Sequence, residues 1–276
     1  MKPRAIDGLP VGVGLQKAWV LSLVLAMLVF PSGMRAKAKA EGIVARARDT
    51  VYRDYRCFYS WESLKKTTLG MGLAGVVANT SMDGEIQGWV QGSLRDEDTD
   101  ELSESVKPFG EGAITIPLYA GAALLGKLTE GNQRDSFTGE WGRRSLRAIV
   151  VGAPPMLFLQ KGIGASRPKE DDSRWRPFND NNGVSGHSFM GAVPFLSAAT
   201  MTENRYVKYS LFLGSMLCGF SRINDNCHYF SQAALGWWTA YVAASCAERR
   251  ENGEGQALIC PRPVAGGIGI MAVISF

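Results

Sequence analysis

The chain has 276 residues, 46% hydrophobic and 20% charged, which excludes a disordered chain, a collagen-like repeat and a disulfide-dense miniprotein and allows one substantial buried core. Its net charge of +4 sits at the front: residues 1–40 hold six cations and one anion, leaving 24 cations against 25 anions in the rest. A near-neutral body removes the general electrostatic route to nucleic acid, and a mean hydropathy of −0.05 with interrupted apolar runs argues against a polytopic membrane protein.

In chain order, residues 1–40 have the layout of an export signal: a basic stretch, an apolar core from Ala18 to Phe30, Pro31, then Ala36, Ala38 and Ala40 at alternate positions. The apolar core is short for a span, so the segment reads as an export leader, or as an N-terminal membrane anchor if it is not cleaved. Residues 41–60 lead into the fold, 61–250 form its body and 251–276 a Gly/Pro-containing tail. The body reads as helices with polar interruptions and no internal repeat: Leu64–Asn79, Ile114–Leu128, Gly139–Lys161, Ser188–Thr202, Tyr206–Phe220 and Phe230–Glu248. About six helices without alternating strands predict an all-α bundle.

Smaller features refine this outline. The acidic stretch Asp96–Glu104 reads as a solvated loop or exposed helix end, and Pro154-Pro155 predicts a kink or break in the third helix. Ala257–Phe276, with Pro, paired Gly and β-branched residues, reads as a short extended or hairpin-like tail. The five cysteines, Cys57, Cys218, Cys227, Cys246 and Cys260, form no Cys-x-x-Cys pair, and with only two histidines a structural metal site is not expected. One or two disulfides are compatible with an oxidising envelope, with connectivity open.

Chemistry is concentrated in the second half. The polar connection Gly162–Gly186 carries Arg167, Lys169, Arg174 and Arg176 beside Trp175 and Phe178, a length that inside a compact bundle often marks function. It ends in Gly183-Val184-Ser185-Gly186-His187-Ser188 ahead of an apolar helix, where glycine admits close approach and helix-terminal amides favour an anion. Further on, Ser221-Arg222 is followed after five residues by His228. Arg222 can hold a phosphate oxygen and His228 can supply a nitrogen nucleophile. Cys227 reads as a packing residue or disulfide half rather than a nucleophile.

Together these segments resemble the type 2 phosphatidic acid phosphatase (PAP2) and vanadium haloperoxidase superfamily, whose pattern is Lys, six residues, Arg-Pro; then Pro-Ser-Gly-His; then Ser-Arg, five residues, His, three residues, Asp. This chain has Arg167-Pro168, Ser185-Gly186-His187 and Ser221-Arg222 through His228. The resemblance implies a helical bundle over about 61–248. It implies a metal-independent phosphatase in which Arg167, Arg222, Ser185 and Gly186 hold phosphate, His228 attacks phosphorus and His187 protonates the departing oxygen. No cofactor is implied, vanadate being an inhibitor in this reading.

Three positions depart from the pattern. Gln160 stands where the lysine is expected and Lys161 follows it about 100° further around the helix, so Lys161 is a phosphate-binding candidate that needs its long side chain to reach. Val184 replaces a proline. Gln232 replaces the aspartate that orients the nucleophile, although at i+4 its carbonyl can still accept the Nδ1 proton. The implied substrate is a phosphorylated small molecule or a phospholipid, with membrane-surface contact left open, and the implied setting is periplasmic or cell-envelope. Two other readings stay open: a haloperoxidase with vanadate as cofactor, and an envelope protein that binds a phosphorylated ligand with weakened catalysis.

Overall fold

The computed structural model describes residues 36–129, 136–170, 172–248, 257–264 and 267–274, and the export-signal reading of residues 1–35 lies outside them. Contacts separate a first unit, Met1–Ala45, from a second, Arg46–Phe276, which holds the helical bundle. The helices are α1 (Ala36–Phe58), α2 (Trp61–Asn79), α3 (Met82–Trp89, continued by a π-turn Val90–Leu94), α4 (Glu97–Val106), a 3₁₀ turn (Lys107–Gly110), α5 (Gly112–Thr129), α6 (Phe137–Ile163), α7 (Gly186–Ala199), α8 (Arg205–Gly214), α9 (Leu217–Asn224) and α10 (Phe230–Glu248). The tail is an antiparallel hairpin of β1 (Ala257–Val264) and β2 (Gly267–Ile274), with Val264 opposite Gly267.

The bundle is all-α, with more helices than the six that the apolar pattern marks, and each addition has a physical reason. α4 forms from the acidic stretch because Asp96 accepts the Thr99 amide at 2.9 Å while its own amide donates to Thr99 Oγ1 at 2.8 Å. This reciprocal cap suits acidic residues at a helix start. The segment expected as one helix over Tyr206–Phe220 is divided into α8 and α9 at Ser215-Met216. There the Ser215 hydroxyl donates to the Phe212 carbonyl at 2.6 Å and accepts from Trp237 Nε1 at 2.7 Å, a side-chain bond that competes with continued helix.

α6 runs through Pro154-Pro155 without the expected break. Proline at 154 withdraws the donor that Val150 would use, and the Tyr55 hydroxyl of α1 supplies one instead at 2.8 Å. A few residues away, buried Asp54 takes the Arg147 guanidinium in two bonds of 2.7 Å. Residues 46–58 are thus built into the bundle.

At its centre lies α7, apolar on every face and buried from Ser188 to Ala199 except at Phe195, as an all-round apolar helix should be. It packs against α6, α9 and α10, while α5 covers α6, α2 lies on α10 and α4 on α9. Close approach is set by small residues. A Cβ at Gly236 of α10 would stand 2.3 Å from the Ser185 carbonyl, and one at Gly152 of α6 would stand 2.7 Å from the Phe189 ring. Among the described residues no single helix is long and apolar enough to cross a membrane.

Cys57 at the end of α1 is disulfide-bonded to Cys246 of α10, closing 189 residues of chain. A cross-link over so long a loop restricts the unfolded chain strongly. Cys57→Ser, or reduction of the intact chain, should lower unfolding free energy by about 2–4 kcal/mol, read from the denaturant midpoint with and without reductant; coincident curves would show that the bond contributes nothing.

Candidate active site

The corner between α9 and α10 places the first two groups. The last carbonyls of α9 lack helical partners, and the side-chain amides of Gln87 and Gln91 donate to Ile223 O at 3.2 and 3.0 Å, Gln91 also to Asn224 O at 2.9 Å. Asn226 then takes a left-handed conformation, φ 56°, one of the few side chains that tolerates it. The chain turns back so that the amides of Cys227 and His228 both donate to the Arg222 carbonyl, at 2.9 and 3.1 Å. The five-residue spacing between Arg222 and His228 is therefore the length of one capped corner, and it sets the nucleophile candidate beside the cation.

Gln232 holds the imidazole. His228 Nδ1 lies 2.8 Å from Gln232 Oε1, the Tyr229 amide donates to the same oxygen at 3.2 Å, and Gln232 Nε2 donates to the Ser166 carbonyl at 2.6 Å. A backbone N–H can only donate and a carbonyl can only accept, so the amide has one orientation. Oε1 must accept from Nδ1, which carries the proton, and Nε2 of His228 keeps its lone pair. The start of α10 is fixed in turn by Asp83 of α3, fully buried, which accepts the Ser231 amide at 2.9 Å and the Ser231 hydroxyl at 2.5 Å.

The long connection after α6 is pinned along its length. Gly164, φ 70°, ends α6 where a Cβ would strike the Arg176 carbonyl, and Asn182 and Gly183 donate to the carbonyls of Ala165 and Gln160 at 3.2 Å each. Trp175 lies against Gly75 of α2, and its amide donates to Asn79 Oδ1 at 3.0 Å, so Trp175 anchors the loop. Arg167 follows Ser166, and its Nε donates to Asn182 Oδ1 at 2.9 Å. Asn182 is buried, and its amide nitrogen is taken by Glu170 and Asp180 at 3.3 and 3.0 Å, which turns its oxygen toward the guanidinium.

At the start of α7 the Ser185 amide donates to Gln232 O at 2.9 Å, and its side chain accepts the Ser188 amide at 3.3 Å as an N-cap. Gly186 and His187 supply first-turn amides that need a partner from outside the helix. His187 stands beside Gly110 of the 3₁₀ turn, where a Cβ would meet its ring at 3.0 Å. Arg222, buried, donates through Nη2 to Asp225 Oδ2 at 2.5 Å, and Asp225 also accepts the Ser103 hydroxyl of α4 at 2.5 Å.

Electrostatics show the convergence. Burial first, then Arg222, Lys107 and Arg167, pushes the His187 imidazole down to about 4, with Asp225 acting in the opposite sense. Burial also pushes His228 down to about 3; the Gln232 bond opposes this, and Arg167, His187 and Arg222 add to it. Each imidazole thus feels both guanidinium groups. Two neutral rings, one with a fixed lone pair, stand among cations and helix-terminal amides: a setting for an oxyanion and for attack by nitrogen.

The arrangement unites His187, His228, Gln232, Arg167, Arg222, Ser185 and Gly186. Lys161 is exposed, and its neighbour Gln160 turns toward the loop, donating to the Val184 carbonyl at 2.9 Å. Sequence reasoning missed Asp225, Ser103, Asn182 and Asp83. Asp225 had a readable signal, its i+3 spacing from Arg222 near a helix end. Ser103 and Asp83 act across 122 and 148 residues and Asn182 across the 15 of a folded loop, none of which a local pattern reveals. Cys218 is buried with its thiol pushed up to about 11, chiefly by burial, and stays an inert packing group.

A family model described as PAP2 superfamily matches residues 147–249, a span containing every one of the converging groups on α7, α9, α10 and the loop before α7. No curated protein and no solved structure matches the chain.

Two outcomes follow from this geometry. Both imidazoles titrate lower in the folded than in the unfolded chain, where histidine titrates near 6.5, so the unfolded chain binds more protons below that pH. Their contribution to stability should be complete above pH 6.5 and be lost as pH falls toward 3–4; thermal melting from pH 8 to 4 should therefore show a smaller acid loss in His187→Asn than in the wild type. Gln232→Ala, which strands the buried His228 Nδ1–H and the Ser166 carbonyl, should cost about 1–3 kcal/mol per stranded group in a denaturant titration, and a neutral result would remove Gln232 from the framework.

Proposed function

We propose, from the match of residues 147–249 to the PAP2 superfamily model and from the geometry of the site, that this protein is a metal-independent phosphatase working through a phosphohistidine. The observation that carries the proposal is the tautomer of His228: Gln232 accepts the Nδ1 proton, so Nε2 offers an unprotonated nitrogen at neutral pH. Arg167 and Arg222 hold the phosphoryl oxygens with Ser185 and the first amides of α7, and charge that spreads over those oxygens in the transition state meets groups already in position. Nε2 of His228 attacks phosphorus, the P–O bond to the leaving group breaks, and His187 delivers the proton that the leaving oxygen needs. Water deprotonated by His187 then attacks the phosphohistidine and releases inorganic phosphate.

His187 starts neutral, depressed first by burial and then by the cations, so it becomes an acid only when the charge of bound phosphate offsets both. A negative ligand raises the affinity of a nearby imidazole for protons, and phosphate binding therefore arms the general acid. Gln232 orients His228 as the family's aspartate does and leaves the ring's positive charge less compensated, which slows the first step without removing it.

Export to an oxidising compartment is supported by the Cys57–Cys246 disulfide. Contact with a membrane surface is supported by exposed apolar stripes at helical spacing, Leu69, Leu73 and Val76 on α2 and Ile114, Leu118 and Leu125 on α5. Release of inorganic phosphate from phosphatidic acid, compared with release from soluble nucleotides, separates a lipid phosphate from a soluble one.

The central test is to quench the protein during turnover of p-nitrophenyl phosphate and look for acid-labile, base-stable phosphate on the chain. It should be present in the wild type and absent in His228→Ala. His187→Ala should still form it from this good leaving group while turnover of an alkyl phosphate falls by about 10²–10⁴-fold. Label retained in His228→Ala would overturn the assignment.

A further inference from the structure

The C-terminal hairpin has two unlike edges. β1 and β2 are joined by Ala265-Gly266 and paired from Val264–Gly267 to Ala257–Ile274; β1 also meets α2 of the bundle. A two-residue turn makes the closing pair Val264–Gly267 hydrogen-bonded, and pairs then alternate between bonded and non-bonded along the ladder. Val264, Arg262, Cys260 and Leu258 therefore bond to β2, whereas Pro263, Pro261, Ile259 and Ala257 turn their backbone groups to the outer edge. Both prolines fall on that outward set. The outer edge of β1 lacks an amide donor at two of its four positions, so it offers no ladder to a further strand.

On β2 the outward set is Ile268, Ile270, Ala272 and Ile274. Among the described residues the sheet has only these two strands. β2 has eight residues with no proline and no charge, so it carries none of the devices that blunt an edge. Its outward set is also self-matching. Laid antiparallel to a second β2 with Met271 on the two-fold axis, Ile268 meets Ile274 and Ile270 meets Ala272, and every outward N–H faces an outward carbonyl.

We propose that β2 is a dimerisation edge, two copies of this chain joining β2 to β2 antiparallel about Met271 in a four-stranded sheet of order β1-β2-β2-β1. The way that sheet ends selects a second copy as the occupant. Both outer strands are β1, whose prolines refuse another neighbour, so assembly closes at two chains instead of growing into a fibre. Four strands also reach the size at which a small sheet is stable by itself, which two do not. Charge permits the contact: the only charged residue between Ala257 and Ile274 is Arg262, on β1. Its two copies stand at least three strand spacings, about 14 Å, apart, beyond the screening length at physiological salt. The eight residues between Glu248, the end of α10, and Ala257 can extend to about 30 Å, which gives two bundles room to stand apart.

Sedimentation and cross-linking of the full chain test this. Wild-type protein should sediment as two chains at high micromolar concentration. Ile270→Pro removes an outward donor opposite Pro261 and leaves the hairpin's own bonds intact, so it should return the protein to one chain. Cys260 lies across the hairpin from Met271, and a Cys260→Ser background removes that competing thiol. There Met271→Cys should form a disulfide-linked dimer under mild oxidation, since residues opposite one another in a non-hydrogen-bonded pair stand about 4.5 Å apart at Cα, within disulfide reach. Val273→Cys should not exceed the background, because it faces Gly269 of the other copy and stands about 14 Å from its own counterpart. If the edge takes a strand from another protein, or lies against this chain's own bundle, the purified chain stays single and no cross-link forms. One chain at every concentration, a dimer unchanged by Ile270→Pro, or equal cross-linking at 271 and 273 overturns the proposal, and the cross-linking comparison decides it even if Ile270→Pro folds poorly.

Discussion

The side chain of Gln232 is the junction on which the site depends. Its oxygen takes the Nδ1 proton of His228 and the amide proton of Tyr229, its nitrogen reaches the Ser166 carbonyl, and its own backbone carbonyl receives the Ser185 amide. One residue therefore ties three separate stretches of chain: the start of α10, the loop that carries Arg167, and the N-terminus of α7. Buried amides are costly to leave unmatched, and matching every one of these atoms allows a single arrangement. That arrangement leaves Nε2 of His228 with its lone pair.

The rest of the fold serves to bring those stretches together and to bury His228. α7 is the buried centre, and glycine at 236 lets the Ser185 carbonyl approach α10 closer than any side chain would permit. α4 reaches the same place from the other side through Ser103 and Asp100, so an acidic stretch that reads as a solvated element becomes a support for the corner bearing Arg222. The cost of this burial is visible in both imidazoles, whose protonation it pushes to lower pH.

Much of this was legible before any coordinates. The helical class followed from apolar runs at helical spacing, and α2, α5, α6, α7 and α10 lie close to where those runs place them. The residues that converge were legible because each stands in a short motif: Arg167-Pro168, Ser185-Gly186-His187, and Ser221-Arg222 with His228 after five residues. What stayed hidden was whatever depends on a distant partner. Asn182 acts on Arg167 across a folded loop, Asp83 caps a helix that begins almost 150 residues later, and Tyr55 mends the bond that Pro154 removes. The disulfide belongs to the same group, since five dispersed cysteines allow several pairings and only the meeting of α1 with α10 selects Cys57 with Cys246.

Gln160 and Lys161 show the division most plainly. Sequence could say that one of two adjacent residues stood near the lysine position of the pattern the chain resembles, because spacing along the chain is a local quantity. It could not say which side chain turned to the loop, because that depends on the rotation of α6 about its axis, set by its packing against α5, α7 and α10. Residue types and motif spacing determined by themselves that this chain carries imidazoles and guanidinium groups suited to an oxyanion. Tertiary structure alone decided which way the Gln232 amide faces, and with it the tautomer of His228, because the Ser166 carbonyl that fixes that amide meets α10 only when the core closes.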